Sequence, residues 1–312
     1  MRVFATLDME FPRESTCVAL GLFDGLHPGH MQVIRAAVEK ARELRKVSCV
    51  FTYTVSGALP GNKVQGRLLS DTRFYRILEE LGVECVIRPD FSEFCDLEPE
   101  RFAEEFLRGR MGACHVACGE DFRFGKGAAG TVDTLRRQFG GADSLTVLPM
   151  VRQDGGTVSS SRIREFIQAG EIETANAMLG RRFAIDFEVV HGRALGRTLG
   201  SPTINQPFPA DFVVPRFGVY ATLTHWDGRE YVSVTNVGVK PTVGSDHVLA
   251  ETYIHGFSGD LYSMAVDVEF LRFIRPEQKF AGVEELREQI LRDSETAEQI
   301  AAGMTNTAAR EH

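Results

Sequence analysis

The stretch Cys17-Val18-Ala19-Leu20-Gly21-Leu22-Phe23-Asp24-Gly25-Leu26-His27-Pro28-Gly29-His30 decides how the first half of the chain is read. An apolar run of strand character empties into a glycine-rich turn. Behind Pro28 the period becomes helical, with Ile34, Ala37, Val38 and Ala41 at i, i+3, i+4 and i+7. Strand, glycine-rich turn and helix in that order aim free backbone N–H groups at an anion. Proline suits the first helical turn, and glycines at 21, 25 and 29 let the backbone approach a nucleotide without a Cβ in the way. His27 and His30, three apart at the helix start, can face one phosphate and stabilise charge developing on it in a transition state. That suits nucleotidyl transfer better than hydride transfer. Two surface histidines in an ordinary turn is the plainer reading, and it leaves the pairing of glycines with histidines unexplained. The sequence contains no G-x-x-x-x-G-K-[ST], which disfavours a P-loop NTPase.

Outward from this stretch, buried strands are expected at Cys17–Leu22, Val47–Phe51, Cys85–Arg88, His115–Cys118 and Leu145–Met150. Helical spacing lies between them. Phe74, Ile77, Leu78 and Leu81 share one face, with Ser70 as N-cap and Gly82 just past the end. Such alternation implies a parallel sheet covered by helices. After Gly180 the period changes to two: Ile185, Phe187 and Val189 alternate with acids, as do Met264, Val266, Val268 and Phe270 with Ala265, Asp267 and Glu269. This half reads as antiparallel β, closed by a helix presenting Val283, Leu286, Ile290 and Ala297, and the boundary is expected near Gly180-Arg181 as a short hinge.

The chain has 312 residues, room for two domains. Its 35 basic against 43 acidic residues give a net charge of −8, which argues against a general nucleic-acid or membrane-surface binder. The six cysteines (17, 49, 85, 95, 114, 118) sit mostly in apolar runs, as small hydrophobes in a reducing cytosol do, and no second Cys/His pair supports zinc at Cys114 and Cys118. The N-terminus lacks an apolar signal core and no run approaches the length of a membrane span. A soluble, cytoplasmic protein is expected.

Phe23-Asp24-Gly25-Leu26-His27-Pro28-Gly29-His30 resembles the H-x-G-H signature of the nucleotidyltransferase superfamily, in the form carried by bacterial FAD synthetases. Gly119-Glu120-Asp121-Phe122-Arg123-Phe124-Gly125 resembles that family's G-x-D-F-R-F-G loop, and Val158-Ser159-Ser160-Ser161-Arg162-Ile163-Arg164 its I-S-S-T-R-I-R segment. Read for itself, the last segment sets hydroxyl caps and two arginines at a helix N-terminus, a site for polyphosphate. An ordinary serine cap with solvated arginines explains it as well. The resemblance implies ATP contacts from Gly21, Phe23, Asp24, Gly25, His27, Gly29, His30, Ser159, Ser160, Ser161, Arg162 and Arg164, the last five on the departing β- and γ-phosphates. It implies flavin contacts from Asp121, Phe122 and Phe124.

The second half resembles riboflavin kinases. Gly192-Arg193-Ala194-Leu195-Gly196-Arg197-Thr198-Leu199-Gly200-Ser201-Pro202-Thr203-Ile204-Asn205 is similar to their G-x-x-x-G-R-x-L-G-F-P-T-A-N motif, and the segments Gly218–Ala221, Asn236–Thr242, Asp260–Tyr262 and Arg275–Phe280 agree. The resemblance implies that Gly192, Gly196 and Gly200 bring backbone close to ATP phosphates. Thr203 and Asn205 would offer oxygens to Mg²⁺, a hard cation that suits them. Glu251, in Leu249-Ala250-Glu251-Thr252-Tyr253, matches the family's catalytic glutamate and would take the proton from the 5′-hydroxyl of the flavin's ribityl chain. A solvent-facing strand carboxylate is the plain alternative.

Together the motifs imply an α/β Rossmann-like nucleotidyltransferase domain (1–180) followed by an antiparallel six-stranded β-barrel riboflavin kinase domain (181–312) with a C-terminal helix. The implied reactions make FMN from riboflavin and ATP, then FAD from FMN and ATP with release of pyrophosphate. The chain departs from the family at Phe51-Thr52-Tyr53-Thr54-Val55, where T-F-x-P-H-P is usual, and at Phe74, where a lysine is common. It also has Ser201 for Phe, Ile204 for Ala, and E-T-Y-I-H for E-T-H-L-L. One rival is therefore a monofunctional riboflavin kinase with a decayed first domain. The other is a flavin-responsive binding protein without turnover, against which the base at Glu251 beside a magnesium site argues.

Overall fold

The computed structural model describes residues 1–7, 15–55, 66–141, 143–153, 155–191, 203–242 and 245–308. Packing divides the chain into two compact units, Met1–Val64 with Asp71–Ser159, and Gln65–Ser70 with Ser160–His312.

The first unit holds a six-stranded sheet of β1 (Arg2–Phe4), β2 (Thr16–Leu20), β3 (Val47–Phe51), β4 (Cys85–Ile87), β5 (Ala113–Gly119) and β6 (Leu145–Leu148), in the order β1-β4-β3-β2-β5-β6. Every neighbouring pair is parallel. All of β2 is buried, as a central strand covered on both faces must be. α1 (Pro28–Leu44) starts at its proline and buries Val33, Ile34, Ala37, Val38 and Ala41. α2 (Asp71–Glu80) ends in a turn where Gly82 takes φ +85. α3 (Pro99–Arg101) runs into a π-helical stretch, Phe102–Arg110, whose Phe102, Ala103, Phe106 and Leu107 enter the core. α4 (Val132–Phe139) and a hairpin of β7 (Arg152–Gln153) and β8 (Gly156–Thr157) complete the unit. Cys17 and Cys118 are fully enclosed, and burial pushes each thiol up to about 12.

The second unit holds β9 (Ala184–Ile185), β10 (Thr203–Pro207), β11 (Gly218–Trp226), β12 (Arg229–Thr242), β13 (Ser245–Ile254) and β14 (Asp267–Arg275), antiparallel in the order β10-β13-β12-β11-β14-β9. The sheet curls until the segment after β9 meets β10, where the Val190 N–H donates to the Asn205 carbonyl at 2.8 Å. Its inner face carries Phe270, Val268, Val237 and a hydroxyl ladder in which Thr235 meets both Thr222 and Thr252 at 2.9 Å. Buried hydroxyls paired with one another remove the cost of leaving them dry and unbonded.

α5 (Ser160–Ala169) and α6 (Ile172–Leu179) pack with this unit. Asn176 explains why: its Nδ2 donates to the Phe270 carbonyl at 2.8 Å and its Oδ1 accepts from the Phe183 N–H at 2.7 Å. Packing therefore parts the chain ahead of the Gly180-Arg181 hinge expected from sequence. Ser70, expected to cap α2, donates its hydroxyl to Asp186 at 2.8 Å. Met264 is exposed and β14 begins only at Asp267.

α7 (Val283–Ala308) docks on the outer face of the sheet, where Ala297 packs with Val219, Ala221, Leu223, Val234 and Leu271. Of the expected stripe, Leu286 and Ile290 are half-buried, and the side chain of Val283 lies outside what is described. Asp293 and Ser294 are more deeply buried than either. Asp293 accepts from Arg275 Nη2 at 2.7 Å and from Gln289 Nε2 at 2.9 Å, which is how a helix can bury a carboxylate. Among the described residues no helix is long and apolar enough to cross a membrane.

Candidate active sites

In the first unit the strand order reverses at β2: β3 and β4 lie on one side, β5 and β6 on the other. Ligands of open α/β sheets bind at such a switch point, beyond the carboxyl ends of the strands. The two segments leaving that point are Gly21–His27 after β2 and Glu120–Phe122 after β5. Two of the quoted motifs thus emerge side by side from adjacent strands.

The loop after β2 is tightly specified. Gly25 has φ +80, and Phe23 (φ 52) and Leu26 (φ 42) also take left-handed backbone despite their side chains. Both side chains are fully buried, which holds the loop in a conformation that isolated residues avoid. A Cβ at Gly21 would meet the Phe23 ring at 2.7 Å. The Thr52 hydroxyl donates to the Leu22 carbonyl at 2.6 Å and the Gly21 N–H to the Phe51 carbonyl at 3.3 Å, so β3 clamps the loop. Thr52 lies in the segment that departs from the family pattern, and only the fold reveals its contact.

His27 is the N-cap residue of α1 and its ring stacks on that of His30, with centroids 3.7 Å apart and planes 23° from parallel. The Phe23 ring meets His30 edge-on at 5.4 Å. Gly29 is part of the same packing, since a Cβ there would stand 3.3 Å from the His27 ring. The two imidazoles therefore occupy one place at the positive end of a helix.

After β5, Asp121 is exposed and Phe122 half-buried, whereas Phe124 is buried against Phe102 in the core. The rings of Phe122 and Phe124 stack at 5.7 Å, which leaves Phe122 as the more accessible aromatic of the pair. Tyr53 packs on Phe91 and Phe94 at 5.2 and 5.6 Å. Phe74, where a lysine is common, is buried beneath the Arg88 guanidinium, 5.2 Å from its ring centroid. Arg88 is itself paired with Asp71 at 2.7 Å.

Ser159 closes the first unit, and Ser160 and Ser161 open α5 in the second. The Arg162 guanidinium lies over Phe166 at 5.8 Å, and Arg164 Nε donates to the Gly66 carbonyl at 2.8 Å. Ser159 thus shares its compact unit with the histidine pair, whereas Ser160, Ser161, Arg162 and Arg164 belong to the other.

In the second unit Asn205 on β10 pairs directly with Glu251 on β13, and Glu251 pairs directly with Asn236 on β12. Residues opposed across an antiparallel pair put their side chains on the same face. The three form a row, with Thr203 two positions from Asn205 on the same face of β10. Strand parity assigns that face. Thr252 and Ala250 point into the buried interior, so Glu251 points to the outer face on which α7 docks. Asn236 Nδ2 donates to Glu277 Oε1 at 3.3 Å. Neither Asn236 nor Glu277 was singled out from sequence, although both lie in segments that carry the kinase resemblance. Gly192, Gly196 and Gly200 lie outside the described residues.

Comparison with known proteins agrees over both halves. Residues 10–162 match the family model for FAD synthetase and residues 179–301 that for riboflavin kinase. The bifunctional riboflavin kinase/FMN adenylyltransferase of Bacillus subtilis is 34% identical over 288 residues, covering 90% of each chain. That of Escherichia coli is 33% identical over 304 residues, covering 95% of this chain and 96% of its own. A crystal structure from Streptococcus pneumoniae, described as a macrolide-efflux protein, superposes with a TM-score of 0.84 at 30% identity, over 95% of this chain and 98% of its own. The chain belongs to the family of bifunctional riboflavin kinase/FMN adenylyltransferases.

Proposed function

We infer that the chain phosphorylates riboflavin to FMN and adenylylates FMN to FAD, releasing pyrophosphate, in the cytoplasm and with Mg²⁺-ATP as donor in both steps. Its ligands are riboflavin, FMN and ATP, with no nucleic acid or membrane surface involved. The adenylyl transfer is assigned to residues 1–180 and the kinase to 181–312. The observation that carries the reading is the Asn205–Glu251–Asn236 row on the outer face of a riboflavin-kinase sheet.

In the kinase step Glu251 accepts the proton of the ribityl 5′-hydroxyl as that oxygen attacks the γ-phosphorus of ATP, whose bond to the β,γ-bridging oxygen breaks to release ADP. Thr203 and Asn205 share a face and offer hard oxygens, a donor set that fits magnesium; bound there, the ion would neutralise phosphate charge. Gly192, Gly196 and Gly200 admit the phosphates close to the backbone. In the adenylyl step FMN's phosphate attacks the α-phosphorus of the second ATP. His27 and His30 stabilise the charge that develops there, with Gly21, Phe23, Asp24, Gly25 and Gly29 shaping the approach. Ser159, Ser160, Ser161, Arg162 and Arg164 hold the departing pyrophosphate, and Asp121, Phe122 and Phe124 hold the flavin. Both steps rely on positioning rather than on a covalent intermediate.

A second reading, a kinase whose first domain has lost turnover, draws on Phe74 being buried where a lysine is common. One incubation with riboflavin, ATP and Mg²⁺, with flavins resolved by chromatography, separates the possibilities. FAD is the expected product. FMN alone would favour the second reading, and unchanged riboflavin would refute both.

A further inference from the structure

We propose that Glu277 is a positioning residue for riboflavin phosphorylation, acting through Asn236 beside Glu251; the proposal rests on the assignment of that step to Glu251. Asn236 and Glu251 are directly opposed on β12 and β13, which places their Cβ atoms about 4.5–5.5 Å apart. An asparagine amide presents donors on one side and an acceptor on the other, so its effect on a neighbouring carboxylate depends on which way it is turned. Glu277 settles the turn. A carboxylate only accepts, and its Oε1 takes the Asn236 Nδ2–H at 3.3 Å, so the N–H side of the amide is committed to Glu277.

The place of Glu277 is itself built. It enters from the connection between β14 and α7, two residues beyond Arg275, whose guanidinium is held by Asp293 through Nη2 at 2.7 Å and Nε at 3.1 and 3.2 Å. Pro276 stiffens the step between them. On the sheet side Gly238 follows Asn236 at the same-face spacing, and a Cβ at Gly238 would collide with Glu277 Oε1. Gly238 does not take a left-handed φ, so no backbone demand accounts for glycine there. The missing side chain is the space that the carboxylate fills.

That collision supplies a test that a merely structural role would not pass. Riboflavin phosphorylation is measured for Glu277→Ala, Glu277→Gln, Gly238→Ala, the combination of Gly238→Ala with Glu277→Ala, and Glu251→Gln. The unfolding midpoint of each, followed by Trp226 fluorescence, checks that the second unit is intact. Glu277→Ala is expected to lower kcat roughly 10- to 100-fold, as a displaced positioning group does, with KM for ATP unchanged. Glu277→Gln restores most of the loss, because its side-chain oxygen still accepts. Gly238→Ala lowers kcat to the same extent in the wild-type background by displacing the carboxylate, yet costs nothing further once Glu277 is alanine. Wild-type kcat in Glu277→Ala beside an inactive Glu251→Gln would overturn the positioning role alone, as would an equal loss from Gly238→Ala in both backgrounds. Wild-type kcat in Glu251→Gln would overturn the base assignment and this proposal with it.

Discussion

Replacing Asp293 by alanine should destabilise the second unit by about 3 kcal/mol, the low end of the range for truncating one partner of a buried ion pair. The side chain is 4% exposed and that of Arg275 18%, so neither charge can turn fully to water. Asp293 accepts from Arg275 Nε and Nη2 and from Gln289, all of which lose their acceptor in the variant. Two effects moderate the loss. Arg275 Nη1 keeps the Pro276 carbonyl at 3.1 Å, and alanine's better helix propensity returns roughly 0.5 kcal/mol. Asp293→Asn retains an oxygen acceptor and should cost about 1–2 kcal/mol. The chain has a single tryptophan, Trp226, at the end of β11 in the second unit, so urea unfolding followed by its fluorescence reads that unit alone. A loss below about 1 kcal/mol for Asp293→Ala, or equal losses for both variants, would refute the reasoning from burial.

Glu251→Gln keeps the volume of the side chain but removes its basicity, so FMN formation should fall by about 10²–10⁴-fold while supplied FMN is still converted to FAD; chromatography of the flavins reads both. His30→Ala should do the converse, lowering FAD formation by roughly two or more orders of magnitude with FMN formation nearly unchanged. Equal losses in both activities would signal misfolding instead. His115 is buried, with Nδ1 2.6 Å from the Asp143 carbonyl and Nε2 3.1 Å from the Thr146 hydroxyl, and desolvation lowers its pKa below the ordinary 6.5. The unfolded chain then binds the proton first. Stability from the neutral ring is complete above pH 6.5 and is lost as pH falls from there toward the folded value. Calorimetry of the first unit's transition should show this slope in the wild type and a flatter one in His115→Gln.

The central strands were legible because their burial is written as continuous apolar runs: β3 spans Val47–Phe51 as read. β2 stops at Leu20 rather than Leu22, because Phe23 turns to φ 52 and no strand can run into that turn. β1 escaped the reading since Arg2-Val3-Phe4 is short and partly exposed at a sheet edge, with no periodicity to display. The apolar stripe on α7 is legible at Ala297, but the burial of Asp293 is not, because its partner Arg275 is one that the helix's own pattern cannot announce. The sites divide in the same way. Contiguous segments such as Gly21–His30 carry their chemistry along the chain. The contacts of Thr52 with Leu22 and of Asn236 with Glu277 exist only through strand pairing and a returning connection.

The attachment of α6 to the sheet of the second unit bears on how such a chain could be divided by recombination or proteolysis. Ile172, Ala175, Met178 and Leu179 are all buried, and Asn176 is bonded to backbone beyond Gly180-Arg181 at two places, Phe183 and Phe270. A break at the hinge expected from sequence would strip this cover from the kinase half and leave a greasy scar prone to aggregation. A break ahead of Ser160 would spare it. The inheritable module, as opposed to the catalytic one, therefore carries residues 160–179 along with the sheet they cover.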